Sequence, residues 1–326
     1  MTELGLGAAQ LGNLFQEVSD SDAELTVEGA WSSGVRYFDT APHYGLGLSE
    51  RRLGNALRQY PRNDYVVSTK VGRSLIPSPQ TAQHDDESFV VKATHKRVWD
   101  FSRDGIRRSL DESLNRLGLD RVDIVYLHDP DDHWAEASTS GVDALVELRD
   151  EGVVGAIGAG MNSSAILAEF VRQCDIDVAM IAGRYTLLDQ SAASDLLPIA
   201  LERGVAVVAA GVYNSGLLST DRAAAGATYD YGRASDELVA KANDIADICG
   251  RYDVSLSEAA IAFALRHPAV VSVVLGARSA EQARTNAARS EQRVPERLWD
   301  DLVDAGIIGG SGDHTQQVAP SAGKGK

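Results

Sequence analysis

Eight short apolar runs, separated by longer amphipathic stretches nearly from end to end, constrain this chain more than any other feature of its sequence. The runs are 4–7 (LGLG), 36–41 (RYFDTA), 65–71 (YVVSTKV), 122–128 (VDIVYLH), 154–160 (VGAIGAG), 178–182 (VAMIA), 206–211 (AVVAAG) and 271–275 (VSVVL). They are continuous rather than alternating polar and apolar, as parallel strands covered on both faces require. Helical patterns fill the gaps at 103–117, 141–151, 163–173, 194–203, 235–250 and 279–289. In the first of these Ile106, Leu110, Leu114 and Leu117 recur at helical spacing, with Ser102 as N-cap and Gly118 as C-cap. Eight strand–helix units match the (β/α)8 barrel; an open doubly wound sheet, the alternative, usually has fewer strands. The expected fold is therefore α/β, a single-domain TIM barrel over 1–308.

Two segments fall outside the repeat. Residues 72–101 form a long polar insertion with Pro77 and Pro79 after the third strand, over what would be the catalytic mouth. A loop of that length in a compact domain is either a lid or unstructured, and Trp99 and Phe101 at its far end favour a partly ordered lid. Residues 309–326, rich in Gly, Ser and Gln, are expected to be a disordered tail.

Composition narrows the functional classes. The net charge of −16 disfavours nucleic acid and anionic membranes as partners, because phosphate contacts need clustered Lys and Arg. No apolar run is long enough to span a bilayer, and no signal peptide is visible. Cys174 and Cys249 lie far apart in no metal-like spacing, which reads as core residues in a reducing, cytoplasmic setting. The expectation is a cytoplasmic protein, a monomer or weak homo-oligomer, acting on a small molecule.

In a barrel, chemistry sits where strands end. The second strand ends in Asp39, with His43 and Tyr44 in the loop after it; the third ends in Lys70; the fourth ends in His128 and Asp129. A tyrosine hydroxyl is a poor base at neutral pH, but a neighbouring ammonium lowers its pKa. A carboxylate would orient that lysine, and a histidine would share the hydrogen bond to a reacting oxygen. Asp39, Tyr44, Lys70 and His128 supply one group for each role, suited to proton exchange with a carbonyl or alcohol oxygen.

The stretches RYFDTAPHYGLGLSERRLGNAL (36–57), VVSTKVG (66–72) and RLGLDRVDIVYLHDPD (116–131), in this order, resemble the aldo-keto reductases over roughly residues 4–308. The resemblance implies an NAD- or NADP-dependent oxidoreductase with Asp39, Tyr44, Lys70 and His128 as its catalytic tetrad. AGRYTLLDQ (182–190), GAGMN (158–162), AAGVYNSGLL (209–218) and WDFS (99–102) resemble the branch of aldose 1-, L-fucose and pyridoxal 4-dehydrogenases. That implies oxidation of the C1 hydroxyl of a free aldose to a lactone, with pyridoxal hemiacetal oxidation or general aldehyde and ketone reduction as alternatives.

The resemblance also implies a cofactor site. Gly160, Met161, Ala182 and Ala210 replace commoner nicotinamide contacts, leaving Asn162 and raising Tyr213 as a substitute stacking ring. Amides of Val212, Asn214, Ser215, Gly216 and Leu217 would meet the phosphates, and Gly276, Ala277, Arg278, Gln282 and Asn286 the adenosine end. Gln282 and Gly276 stand where NADP-specific relatives place Arg and Lys, while Arg278 could face a 2′-phosphate. His43, Trp99, Asp129 and Tyr213 are expected at the substrate. HDPDDH (128–133) reads as a polar loop rather than a metal site, and GLGLSE (45–50) as a helix-opening turn. A nucleotide-sensing subunit and a metal-dependent hydrolase are the rival classes; an intact tetrad disfavours the first.

Overall fold

A computed structural model describes residues 1–78, 84–85, 87–230 and 232–309 of the 326. Most of the expected tail, 310–326, lies outside the described residues. The strands are β1 (Leu4–Gly7), β2 (Tyr37–Asp39), β3 (Val66–Val71), β4 (Arg73–Pro77), β5 (His95–Trp99), β6 (Ile124–His128), β7 (Ala156–Met161), β8 (Val178–Ala182), β9 (Ala206–Ala210), β10 (Thr228–Tyr229), β11 (Gly232–Arg233) and β12 (Val270–Gly276). Eight of them close a parallel barrel in the order β1-β12-β9-β8-β7-β6-β3-β2. These are the eight apolar runs of the sequence, with ends shifted by at most two residues.

Helices cover the outside. The helix Arg103–Leu117 begins where the Ser102 side chain accepts from the Gly105 amide, and ends at Gly118 in the left-handed conformation. Ser163, Ser235, Ser255 and Ser279 cap four later helices in the same way. The apolar layer between helices and strands holds most of the core, including both cysteines. Inside the barrel a smaller cluster of Ile124, Val178, Met180, Val208 and Val274 surrounds two tyrosines, Tyr37 and Tyr126.

The insertion after β3 departs from its loop description. Arg73–Pro77 and His95–Trp99 pair as an antiparallel hairpin, Arg73 opposite Trp99. Its first arm ends at Pro77, and its second, His95–Trp99, is polar for most of its length. Between the arms, Ser88 O accepts from the Phe15 amide at 2.9 Å and the Val90 amide donates to Asn13 O at 2.9 Å. The insertion is thus tied to the loop after β1. No described helix is long and apolar enough to cross a membrane.

Glycine spacing fixes how closely the outer helices pack. The helix Leu48–Leu57 lies against Arg103–Leu117 at Gly54, where an added Cβ would stand 1.8 Å from Leu117 O. Glycine inside a helix normally gives up about 1 kcal/mol to alanine. Here the clash is with backbone, which cannot rotate away, so the usual gain reverses. Gly54→Ala is expected to destabilise the fold by about 2 kcal/mol; a melting temperature equal to or above the parent's would contradict this packing.

Candidate active site

Asp39, Lys70 and His128 project from the ends of neighbouring strands β2, β3 and β6, and Tyr44 from the loop after β2. That loop is held by two glycines in contact: a Cβ on Gly45, at φ +62°, would sit 2.2 Å from Gly12 O, and one on Gly12 would sit 2.7 Å from the Tyr44 carbonyl carbon. This close approach sets the loop that carries Tyr44 against the loop after β1.

Lys70 is the centre. Its Nζ donates to Asp39 Oδ2 at 2.6 Å, to Thr40 O at 3.0 Å and to Tyr44 Oη at 3.1 Å. An ammonium has three protons, and all three are used. Burial alone would push Lys70 toward neutrality, but the charge of Asp39 and the bonds to Asp39 and Tyr44 outweigh it and raise its pKa. The lysine is a cation at any working pH.

Tyr44 behaves otherwise than the sequence reading expected. Burial raises its hydroxyl to about 12, against the lowering effect of Lys70. Desolvation of a phenolate is the larger effect in this enclosed site. Tyr44 therefore rests as a phenol.

His128 lies edge-on to Tyr44, ring centroids 5.8 Å apart, and His43 lies 5.5 Å from His128. Burial and the nearby cations Lys70, Arg73 and Arg97 hold His128 well below its ordinary pKa; burial first, then the same cations, lower His43 to about 2. Both are neutral imidazoles, and His128 Nδ1 is buried with no hydrogen-bond partner among the described residues. Asp129 follows His128 at a left-handed φ of +43° and meets Arg73 at 3.0 Å.

The insertion roofs these groups, which sequence reasoning did not foresee residue by residue. Phe89 stacks on Tyr44 at 6.1 Å and meets the His43 ring edge-on at 5.2 Å. Arg73 bridges Asp129 and Glu87, and Arg97 pairs with Asp85 at 2.6 Å while donating to His43 O. Trp99, expected at the substrate, packs on Phe101 and His133 with the Arg73 guanidinium over its ring. Its tie to the site is through Arg73.

Beside the tetrad runs a groove of about 740 Å³ between the loops after β7, β8, β9 and β12. Asn162, Val212, Asn214, Ser215, Gly216, Gly276, Ala277, Arg278, Gln282 and Asn286 all line it, as do Gln10, Gly183, Arg184 and Asp230, which the sequence did not single out. Gln10 follows β1, so the strand-end rule could have found it. The Leu217 side chain lies in the core, and its amide donates to Asn214 O. The amides of Asn214 and Gly216 are likewise engaged within the turn, by Gly211 O and Tyr213 O. The Tyr213 hydroxyl donates to Asn286 Oδ1 at 3.2 Å.

The groove is built for a polar ligand. Gln10 Oε1, Asn214 Oδ1 and Arg278 Nε are buried there with no hydrogen-bond partner among the described residues, and such groups are costly unless something else binds them. Gly276 leaves room for the Gln10 carboxamide, which a Cβ there would meet at 2.3 Å.

The aldo/keto reductase family model matches residues 3–305. The chain belongs to the aldo/keto reductase family. It is 47% identical to the D-threo-aldose 1-dehydrogenase of a Pseudomonas species, over 94% of both chains. It is 40% identical to the pyridoxal 4-dehydrogenase of Microbacterium luteolum, over 94% of this chain and 95% of that one. Among solved structures, the holo form of an aldo-keto reductase from Bacillus halodurans aligns with a TM-score of 0.73 at 25% identity, covering 93% and 91% of the two chains. This aldo/keto reductase is an oxidoreductase.

The Lys70–Asp39 pair carries a stability consequence. Removing one partner of a buried ion pair costs about 3–5 kcal/mol. In Asp39→Asn the buried ammonium loses its counter-ion, so its folded pKa falls below the unfolded value. The unfolded chain then binds more protons between the two values, and stability rises with pH there. In the parent the sign is opposite: the raised Lys70 pKa contributes stability below the unfolded pKa, lost as pH climbs through the folded one. Denaturant titrations from neutral to alkaline pH should show Asp39→Asn gaining on the parent; parallel curves would contradict the pairing.

Proposed function

We propose that this chain is an NAD- or NADP-dependent dehydrogenase that oxidises the C1 hydroxyl of a free aldose, of the fucose or threo-aldose kind, to a lactone. The reverse carbonyl reduction should also be measurable. The observation that carries the chemistry is the contact of Lys70 Nζ with both Asp39 and the Tyr44 hydroxyl, beside two neutral histidines. The similarity to an aldose 1-dehydrogenase supports the substrate class.

Each group has one task. In reduction the phenol of Tyr44 gives its proton to a carbonyl oxygen; in oxidation the reacting form is the phenolate, reached when that proton has first left to solvent, and it takes the proton of the C1 hydroxyl. Lys70 stabilises the phenolate on one side of that exchange, and Asp39 keeps Lys70 charged and aimed. His128, neutral, can hydrogen-bond the same substrate oxygen without competing for its proton. Phe89 and the Arg73–Glu87 contact close the roof and exclude water. Gln10, Asn162, Asn214, Arg278 and Asn286 would hold the nucleotide along the groove. A nicotinamide bound there would supply the two-electron acceptor for the hydrogen leaving C1.

Pyridoxal oxidation is a second reading, favoured by the 40% identity to a pyridoxal dehydrogenase. Its cyclic hemiacetal presents the same ring oxygen and hydroxyl to Tyr44. A panel of aldoses and pyridoxal, each with NAD+ and NADP+ and read as reduced-nicotinamide absorbance, separates the two. Tyr44→Phe should lower turnover by at least about a hundredfold while nucleotide binding persists. Unchanged turnover in that variant would sink the assignment.

A further inference from the structure

Two tyrosines stand inside the barrel among aliphatic side chains, and the tetrad alone does not need them. Tyr37, on the strand that carries Asp39, and Tyr126, on the strand that carries His128, are fully buried. Their hydroxyls lie 3.2 Å apart. Tyr37 Oη is also 3.0 Å from Ser68 Oγ, and Ser68 Oγ donates to Asp39 Oδ1 at 2.6 Å. Ser68 sits two residues before Lys70 on β3, so both point into the barrel. The four groups make one continuous row ending on the carboxylate oxygen that Lys70 leaves free.

The row has a single direction. Asp39, paired with an ammonium, only accepts. Ser68 has one proton, and it goes to Asp39. Tyr37 must then donate to Ser68, and Tyr126 to Tyr37. Burial raises the pKa of both tyrosines, so both protons stay in place. Beyond Tyr126 lie Ile124, Val178, Met180, Val208 and Val274. The row ends in hydrocarbon and cannot carry a proton to water.

We propose that Ser68, Tyr37 and Tyr126 form a one-way hydrogen-bond row that positions Asp39 and draws its charge away from Tyr44, making Ser68 and Tyr37 positioning residues for proton transfer at Tyr44. A carboxylate that receives a polarised donor row offers less negative potential to its surroundings. Asp39 opposes ionisation of Tyr44, whereas Lys70 favours it. The row therefore tips that balance toward Lys70. The other groups facing Tyr44 are Asp129 and neutral His128 at the end of β6, His43 in its own loop, and Phe89 from the insertion, with Arg73 and Arg97 behind the histidines. None of these touches the row.

The proposal rests on Tyr44 as the proton-exchanging group, and the test separates the two. Full-length Ser68→Ala, Tyr37→Phe and Tyr126→Phe are compared with the parent and with Tyr44→Phe, with kcat/KM for aldose oxidation followed against pH at saturating nucleotide. On the rising limb each unit of upward pKa displacement lowers the rate tenfold at fixed pH. Ser68→Ala should move the limb upward by roughly half to one unit, Tyr37→Phe by about half as much, and Tyr126→Phe least. Nucleotide dissociation constants should stay within about twofold of the parent's, because the row does not reach the groove. Tyr37→Phe keeps the ring and so keeps the packing if Ser68→Ala proves unstable. A limb that stays in place in Ser68→Ala and Tyr37→Phe overturns the row, whether the rate falls uniformly or not at all. An active Tyr44→Phe overturns the reading beneath it instead.

Discussion

Everything at the mouth of this barrel depends on one buried cation. Taking an ammonium and a carboxylate out of water costs several kcal/mol each, and mutual attraction offsets that only when every remaining proton and lone pair is satisfied. Lys70 meets the condition with three acceptors at 2.6, 3.0 and 3.1 Å. Asp39 meets it with Lys70 on one oxygen and Ser68 on the other. The pair is therefore stable where it is, and its charge is available to one group that titrates only with difficulty, Tyr44.

The surrounding architecture turns that charge into chemistry by exclusion. Gly12 and Gly45 let two loops approach closely enough to set Tyr44 above Lys70. Phe89 and the Arg73, Arg97, Asp85 and Glu87 contacts cover the opposite side. The same enclosure that lifts the Tyr44 pKa keeps His43 and His128 neutral. Three groups that would titrate differently in water are thus held in the forms that exchange a proton with an oxygen: one phenol and two imidazoles. The groove beside them is polar and partly unsatisfied, with Gln10, Asn214 and Arg278 waiting for a partner.

Much of this was legible in the sequence, because barrel strands are continuous apolar runs and their last residues face the mouth. Asp39, Lys70 and His128 could be placed together on that rule alone, and the groove residues followed from resemblance. What was hidden depends on distances no pattern encodes. The hairpin in 72–101 has polar, proline-edged arms because it stands over the mouth and not in the core. Leu217 looks like its loop neighbours but turns inward, and Tyr213 is drawn to Asn286. The sign of the Tyr44 shift needed the depth of burial, since charge and desolvation oppose each other. Ser68, Tyr37 and Tyr126 read as ordinary strand residues until the closed barrel sets their hydroxyls in a row.

The central claim is that hydrogen leaves C1 of an aldose while Tyr44 takes the hydroxyl proton. Its most direct test is to supply L-fucose or another accepted aldose deuterated at C1 and to examine the reduced nicotinamide by mass spectrometry. The account predicts deuterium in the nucleotide, with lactone formed in equal amount. Reduced nucleotide without deuterium, or lactone formed without reduced nucleotide, would contradict it.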